Sequence, residues 1–164
     1  MLVALIAAGT LAAVLLAATA GPAFGDTQTR NLTIHTVGPP QSVDVTCLVP
    51  GPDDSCTTLQ ITVTGTVTSN LAGQGTSQLT LIRTFLDNGC HTGEEFTTFT
   101  FSAGTISTHT PTFETCGTPT GLLFDVPFEI TGGTGAFAGA TGGGQEFTPS
   151  GGPSPIIYIG TITF

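Results

Sequence analysis

Residues 130–144 read Ile-Thr-Gly-Gly-Thr-Gly-Ala-Phe-Ala-Gly-Ala-Thr-Gly-Gly-Gly, and this glycine-rich stretch decides the fold. Seven of its fifteen residues are glycine, and each glycine destabilises a helix by about 1 kcal/mol relative to alanine. Glycine also leaves an ordinary strand without side chains that pack. The composition therefore predicts a tight backbone crossing in which some residues have positive φ angles.

The segment before the glycines, residues 122–131, alternates as a half-buried strand does. We expect the chain to leave this strand, to turn on Gly132 and Gly133, and to continue past Gly135. Phe137 is the only large apolar side chain within the glycine-rich part of the stretch. It is therefore predicted to insert into the core as a plug that closes the turn.

A glycine-rich turn after a strand is also typical of nucleotide-binding loops. Here the position that needs the third glycine of a dinucleotide fingerprint is Ala138, and no amphipathic helix follows. A Walker-type loop is excluded because the chain contains no lysine. The stretch is therefore interpreted as a structural turn and not as a phosphate site.

The pattern Ile-Thr-Gly-Gly-Thr-Gly-x-Phe-x-x-Ala-x-Gly resembles the corresponding turn of the dirigent and allene oxide cyclase superfamily, particularly of its small secreted bacterial relatives. The resemblance covers about the last third of the chain, with a closing strand at residues 159–164. It implies an eight-stranded antiparallel β-barrel. In plants, such barrels guide the cyclisation or radical coupling of small apolar intermediates in the lumen. The matching positions are Ile130, Gly132, Gly133, Thr134, Gly135, Phe137, Ala140 and Gly142.

The first twenty residues are almost wholly apolar, and the first charged residue is Asp26. We predict a signal peptide over residues 1–25 and one β-barrel domain over residues 26–164. The alternative is an uncleaved membrane anchor, since about 20 apolar residues can span a bilayer. The alanine content and the small residues at the end of the segment favour cleavage. The expected location is therefore extracellular, without stable membrane association.

The charge balance excludes several classes of partner. The formal net charge is −9, and Arg30 and Arg83 are the only permanent cations. A chain of this charge gains no counterion release on nucleic acid, and an anionic membrane surface repels it. Neither nucleic acid nor a membrane surface is therefore expected as a partner.

Four cysteines in an exported chain predict two disulfide bonds, for which three pairings exist. A hairpin that turns at a Pro-Gly-Pro-Asp sequence places Cys47 opposite Cys56. A second hairpin, which turns at an Ala-Gly sequence, places Cys90 opposite Cys116. We therefore expect each disulfide to close its own hairpin. The chain has no Cys-x-x-Cys motif, and no metal site is expected.

Strand-like runs fill the rest of the chain, separated by turns rich in Gly, Pro, Asn and Asp. No run after the signal peptide predicts a helix. Such spacing is typical of barrels and of sandwiches, and the glycine-rich stretch favours the barrel. The predicted strands are residues 31–37, 42–48, 59–69, 77–86, 94–103, 105–113, 122–131 and 156–164, with a short weak strand at 145–148.

Arg83 and Glu95 are the candidate catalytic residues. Arg83 alternates in phase with Leu81 and Phe85, so its side chain is predicted to point into the interior. Glu95 has the phase of Phe99, and a hairpin between the two strands would bring the two charges close enough to pair. In a lumen, such a pair could polarise or protonate a bound carbonyl or epoxide. The alternative is a salt bridge at the barrel mouth with no chemical role.

The last strand, residues 156–164, is apolar on both faces for several residues. Its outer face should be covered, so we expect a homo-oligomer that associates through this strand. Tyr158, the only tyrosine, is predicted either to line a ligand site or to anchor that interface. The predicted ligand-lining residues are Phe99, Phe101, Phe124 and Tyr158.

Two hypotheses for the function follow from the resemblance and the predicted lumen. In the first, the chain is a secreted allene oxide cyclase-like or dirigent-like barrel that binds a small apolar ligand and steers its cyclisation or isomerisation without a cofactor. In the second, it is a non-catalytic extracellular barrel with a structural or interaction role. An open lumen favours the first hypothesis, and a lumen filled by side chains favours the second.

Overall fold

Eight antiparallel strands close into a β-barrel, which confirms the predicted architecture. The computed structural model describes residues 27–116, 124–148 and 155–164. The predicted signal peptide lies outside these described residues. No helix within them is long and apolar enough to cross a membrane. The strands are β1 (Thr29–Pro50), β2 (Cys56–Ser69), β3 (Gly73–Phe85), β4 (Cys90–Phe101), β5 (Gly104–Cys116), β6 (Phe124–Gly133), β7 (Thr141–Thr148) and β8 (Ile157–Thr163).

Each strand pairs with the next along the chain, and β1 closes the barrel by pairing with β8 from Thr29 to His35. Alternation along the strands sends one set of side chains into the lumen, where an eight-stranded barrel has just enough room for side chains or one small ligand. The fully buried apolar core side chains include Leu32, Ile34, Val67, Phe99, Ile106 and Ile162.

Two of the predicted strands, residues 31–37 and 42–48, belong to the single strand β1. Between them, Pro39 and Pro40 cannot donate to the ladder, so the pairing with β2 shifts in register and then resumes. The predicted turn at this point is wrong, because the prolines interrupt the ladder without reversing the chain.

Because two predicted strands merge into β1, another strand is needed to make eight. That strand is β7, where the sequence predicts only a short strand at residues 145–148. Its glycines are strand residues and not part of the turn. A Cβ atom added at Gly144 would collide with the carbonyl oxygen of Ile159 on β8. Glycine is therefore needed here for the close approach of two backbones.

One end of the barrel, the plugged end, carries the β2–β3, β4–β5 and β6–β7 turns. The β6–β7 connection contains a short 3₁₀ turn, Gly135–Phe137, in which Gly135 has a left-handed φ of 61°. Phe137 is buried, and its ring lies 6.4 Å from that of Phe101 and 5.3 Å from that of Phe164. Phe137 therefore fills this end of the lumen.

The sequence predicts that the chain turns on Gly132 and Gly133, but in the structure it turns later. Both glycines are the last residues of β6 and pair with Ser107 and Ile106 on β5. The chain reverses only after Thr134, whose backbone amide donates to the carbonyl oxygen of Thr105. β6 continues through both glycines because β5 still pairs with them.

The opposite end, the disulfide end, carries the β1–β2 and β3–β4 turns and both disulfide bonds. Cys47 is bonded to Cys56 with a Cα–Cα distance of 5.8 Å, and Cys90 is bonded to Cys116 at 4.1 Å. Both predicted pairings are confirmed. Disulfide bonds of this kind are typical of exported proteins.

Burial decreases along the lumen from the plugged end to the disulfide end. On β2, the inward-facing Val67 is fully buried, whereas Leu59 and Ile61 are partly exposed. Among the described strands, the second half of β1 pairs only with β2, and its Val43 and Val45 are more than half exposed. The lumen is therefore packed at one end and accessible at the other.

Candidate functional site

Three inward-facing polar side chains meet in the middle of the barrel: Glu95 on β4, Glu146 on β7 and Tyr158 on β8. Strand pairing sets Glu146 directly opposite Tyr158. The three side chains are nearly completely buried, with exposed fractions of 5% for Glu95, 2% for Glu146 and 1% for Tyr158. Buried carboxyl groups are rare unless they are paired or hydrogen-bonded, and these satisfy that requirement.

Hydroxyl groups of the barrel wall donate to both carboxyl groups. The Tyr158 hydroxyl donates to Oε1 of Glu95 at 2.7 Å, and the Thr97 hydroxyl donates to the same oxygen at 2.8 Å. The Thr110 hydroxyl donates to Oε2 of Glu146 at 3.0 Å. Glu95 therefore has more hydroxyl donors than Glu146.

The two carboxyl groups are also hydrogen-bonded to each other and titrate together. Burial, and next the negative charge of Glu95, raise the pKa of Glu146 to about 8. Burial also raises the pKa of Glu95, although its hydrogen bonds from Tyr158, Thr97 and Glu146 act in the opposite direction. The pair therefore holds at least one proton at neutral pH, with Glu146 as the donor and Glu95 as the acceptor.

Aromatic rings hold the Tyr158 side chain in place. The Phe99 ring meets it edge to face with centroids 5.0 Å apart, and the Phe128 ring does so at 5.5 Å. Burial, followed by the charges of the two glutamates, raises the pKa of Tyr158 well above its usual range, so its hydroxyl remains a donor. The hydroxyl that contacts Glu95 is thus fixed in position and in protonation state.

A cavity of about 90 Å³ lies where Pro39 and Pro40 interrupt the β1–β2 ladder, and Glu95, Glu146 and Tyr158 are not among its lining residues. Leu79, which lines the cavity, is the cross-strand partner of Thr97, the residue that donates to Glu95. The volume is well above the roughly 10–15 Å³ that a single water molecule needs. Its inward-facing lining residues are Thr36, Val63, Gly65, Ser77, Leu79 and Ile156.

Arg83 and Glu95 both lie on the lumen face of their strands, but they do not form the predicted ion pair. The strand register sets them diagonal to each other, and the Glu95 carboxyl group is engaged by hydroxyl groups instead. The ion pairs among the described residues are made by His109, on the outer wall. Arg83 lies nearer the disulfide end than Glu95.

The predicted ligand-lining residues have different positions in the barrel. Phe99 and Phe101 belong to the packed core, and neither lines the cavity. Tyr158 faces the lumen, so the alternative prediction of an interface anchor is wrong. Phe124 is the first residue of β6, and the prediction for its side chain lies outside the described residues.

Glu146 is the site residue that the sequence does not predict. Its position on the lumen face depends on β7 being a full strand between β6 and β8. The available indication is the alternation of Glu146 and Thr148 with Gln145 and Phe147, which is too short to assign a face.

Within the described residues, one group of possible metal ligands lies close together: Cys90, Glu114 and Cys116. The two sulfur atoms are bonded to each other, so neither provides the thiolate that a metal site needs. The lumen cluster of two carboxyl groups and hydroxyl donors is therefore the candidate site of this chain. Comparison with protein-family models and with curated proteins finds no match to this sequence.

Proposed function

We propose that this chain is an exported β-barrel, similar to dirigent proteins and allene oxide cyclases, that binds a small apolar ligand and steers its isomerisation or cyclisation. One observation supports this proposal: two carboxyl groups, Glu146 as proton donor and Glu95 as acceptor, are hydrogen-bonded to each other in the lumen. Leu79, which lines the cavity, is the cross-strand partner of Thr97, which donates to Glu95. Pairs of carboxyl groups with separated roles of this kind are typical of acid–base catalysis.

The chemistry assigns Glu146 as the acid and Glu95 as the base. Glu146 donates its proton to a carbonyl or epoxide oxygen of the ligand, and Glu95 removes a proton from carbon. Transfer of the proton from Glu95 to Glu146 restores the pair, so no atom is gained or lost overall. The Tyr158 hydroxyl stabilises the negative charge on Glu95 between these steps. An isomerisation or cyclisation of this type needs no cofactor.

Export is part of the proposal and draws on two features of the chain. The apolar segment at residues 1–25 has the composition of a signal peptide. Two disulfide bonds close the β1–β2 hairpin and join β4 to β5. Such bonds persist in oxidising compartments.

The first test is whether the lumen takes an apolar ligand. Native mass spectrometry of the exported protein should reveal a bound small molecule, and Nile red should give a saturable rise in fluorescence. Gly65 lines the cavity, and a Cβ atom there meets only the Ser77 hydroxyl at 3.6 Å, so Gly65→Leu should fill the space without distorting the wall. This variant should abolish dye binding.

Thr62→Leu is the matched control, because it adds the same side chain to the opposite, outward face of β2. It should bind Nile red as the unmodified chain does. The released ligand should be isomerised by the unmodified chain, and Glu146→Gln should slow this conversion by about 100-fold or more. Absence of both a bound molecule and dye binding would rule out the ligand-binding proposal.

The second candidate is a non-catalytic extracellular barrel with a structural or interaction role. Two observations favour it: core side chains fill the plugged end, and Ile159 on the outer face of β8 is 49% exposed. A chain that binds no small molecule but self-associates in solution would have this function.

A further inference from the structure

The second half of β1, residues 41–50, has a neighbouring strand on one side only within the described residues. Residues 42–47 pair in regular register with β2, whereas the ladder between β1 and β8 stops at His35. Every residue from 41 to 50 is exposed. The barrel, which β1 and β8 close towards the plugged end, therefore leaves a sheet edge open towards the disulfide end, with backbone N–H and C=O groups that a further strand could pair with.

Exposed apolar side chains are concentrated on this strand. Five of the eight large apolar side chains that are exposed among the described residues lie on β1, and four of those five follow Pro40. Val43 and Val45 lie opposite Val63 and Ile61 of β2, so they share the lumen face of the sheet. Adjacent exposed apolar residues are typical of interaction surfaces. A strand placed beside β1 would cover both valines.

The open edge is held in its extended form from both ends. At its start, the Ser42 hydroxyl is hydrogen-bonded to the Thr64 hydroxyl of β2 at 2.8 Å. At its other end, the disulfide bond between Cys47 and Cys56 joins it to β2. A backbone that is already extended loses little conformational entropy when a strand binds to it, which favours binding.

The sequence of this edge lacks the features by which many sheets prevent pairing with other chains. Natural edge strands often carry lysine or proline, or are very short. Residues 41–49 contain neither a proline nor a basic residue, and prolines lie just outside them, at Pro39, Pro40 and Pro50. The six residues in regular register span about 20 Å, the length of an average strand. The prolines therefore limit the edge without blocking its centre.

The charges near the edge favour a basic partner. Asp44 lies opposite Thr62 on the outer face of β1, and Asp53 and Asp54 lie in the adjoining β1–β2 turn. Residues 37–60 contain no lysine, arginine or histidine. Opposite charges on neighbouring strands stabilise their pairing, and like charges destabilise it. A strand with basic residues on its outer face and apolar residues on its lumen face therefore matches this edge.

We propose that residues 42–47 of β1 bind an extended segment of another protein, which adds to the barrel as a strand of alternating apolar and basic residues. Main-chain hydrogen bonds along the edge provide affinity, and the alternate side chains provide specificity. The apolar residues of the segment lie beside Val43 and Val45, and its basic residues lie beside Asp44. A second copy of this chain lacks the basic residues at this edge and so does not match it.

The test titrates the peptide Lys-Val-Lys-Val-Lys-Val-Lys, with both ends blocked, into the full isotope-labelled chain and follows the backbone amide signals by NMR. The signals of residues 42–47 should shift in a saturable manner, and their amide hydrogens should exchange more slowly with solvent. The same peptide with glutamate in place of lysine should bind about tenfold more weakly or not at all. Absence of saturable shifts at residues 42–47 would overturn the proposal.

Backbone N-methylation of the peptide distinguishes strand addition from simple charge attraction. The N–H groups of alternate residues point to the same side of a strand. A peptide methylated on its valine nitrogens and one methylated on its lysine nitrogens therefore differ in which edge can pair with β1. One of them should lose binding by about tenfold or more, and the other should keep it. Equal affinities of the two methylated peptides would contradict strand addition.

Asp44→Lys should weaken binding of the lysine peptide by about tenfold, because a like charge then lies beside it. Asp125→Lys is the matched control, since it makes the same change at an exposed position on β6, and it should leave the affinity unchanged. Equal losses in the two variants would mean that net charge alone attracts the peptide. A change in the oligomeric mass of the chain in Asp44→Lys would assign the edge to a second copy, and either result would overturn the proposal.

Discussion

The Glu95 carboxyl group accepts hydrogen bonds from Tyr158, Thr97 and the partner carboxyl group of Glu146. Glu95 thus accepts more hydrogen bonds than Glu146, and this difference determines which of the two buried carboxyl groups carries the negative charge. Glu146 has one hydroxyl donor, Thr110, and faces the charge of Glu95, so it retains its proton. The neighbouring groups thus make Glu146 the acid and Glu95 the base.

The raised pKa of Glu146 predicts an unusual dependence of stability on pH. In the unfolded chain this group has a pKa near 4.5, and in the folded chain it has a pKa of about 8. Between these values the folded state holds the proton and the unfolded state releases it. The contribution is therefore complete below about pH 4.5 and is lost as the pH rises through 8. The free energy of unfolding, measured by urea denaturation, should fall by several kcal/mol from pH 5 to pH 8, at about 1.4 kcal/mol per pKa unit.

Glu146→Gln keeps the shape and the hydrogen bonds of the side chain but cannot ionise. The fall in stability between pH 5 and pH 8 should become shallower in this variant. A remaining slope is expected, because Glu95 and His109 also have raised pKa values and act in the same direction. Asp44→Asn, at an exposed position on β1, should leave the slope unchanged. Equal slopes for Glu146→Gln and the unmodified chain would contradict the assignment of the proton to Glu146.

The lumen position of Glu95 can be predicted from the sequence, because it alternates with Phe99 and Phe101 over a long strand. Its partner cannot. The phase that Arg83 shares with Leu81 indicates the correct face, but Glu146 and Tyr158 reach Glu95 from strands distant in the chain. Contacts across a barrel depend on strand tilt and on the number of strands, which local alternation does not encode.

The β6–β7 connection, which lies in the glycine-rich stretch, places the Phe137 side chain in the plugged end of the lumen. Phe137 is 3% exposed and contacts aromatic rings from two other parts of the chain. Phe137→Ala should therefore lower the free energy of unfolding by about 3–5 kcal/mol, as expected for a buried phenylalanine that leaves a cavity. The measurement is urea denaturation at a fixed pH.

Phe96→Ala is the comparison for the plug, since Phe96 is 45% exposed on the outer wall. Its effect should be well below that of Phe137→Ala, because exposed positions contribute little to burial. Similar losses of stability in the two variants would mean that the connection is not essential to the core.

Long alternating strands are predictable from the sequence, and irregular ones are not. β4 and β5 lie where the sequence predicts strands, although the structure extends them towards the disulfide end, to Cys90 and Cys116. β1 passes through two prolines and β7 begins with glycines, so propensity predicts a turn in both places. In the barrel, neighbouring strands supply the pairing that favours the extended backbone at these positions.

The barrel as a whole combines a rigid end and an accessible end. Aromatic side chains fill the lumen at the plugged end, while two disulfide bonds hold the strands where burial is lower. A disulfide bond stabilises a small exported domain without occupying its interior. The chain can therefore keep space in the lumen at the end where its core is incomplete.

The outer wall of this barrel carries an apolar patch formed by Val37, Phe147, Ile157 and Ile159 from three adjacent strands. Val37 and Ile159 are 46% and 49% exposed. Adjacent exposed apolar residues are typical of protein interfaces, whereas single ones are common on any surface. A second copy of the chain, associating through the last strand, would cover them.

Native mass spectrometry and light scattering at micromolar concentration should therefore show a dimer or a larger oligomer of the chain. Ile159→Thr keeps a β-branched residue in the strand but removes exposed apolar surface from the patch, so it should shift the population to monomer. Val43→Thr makes the same kind of change at an exposed valine outside the patch and should leave the mass unchanged. Loss of the oligomer in both variants would indicate non-specific association, and a monomeric mass for the unmodified chain would remove the interface from β8 altogether.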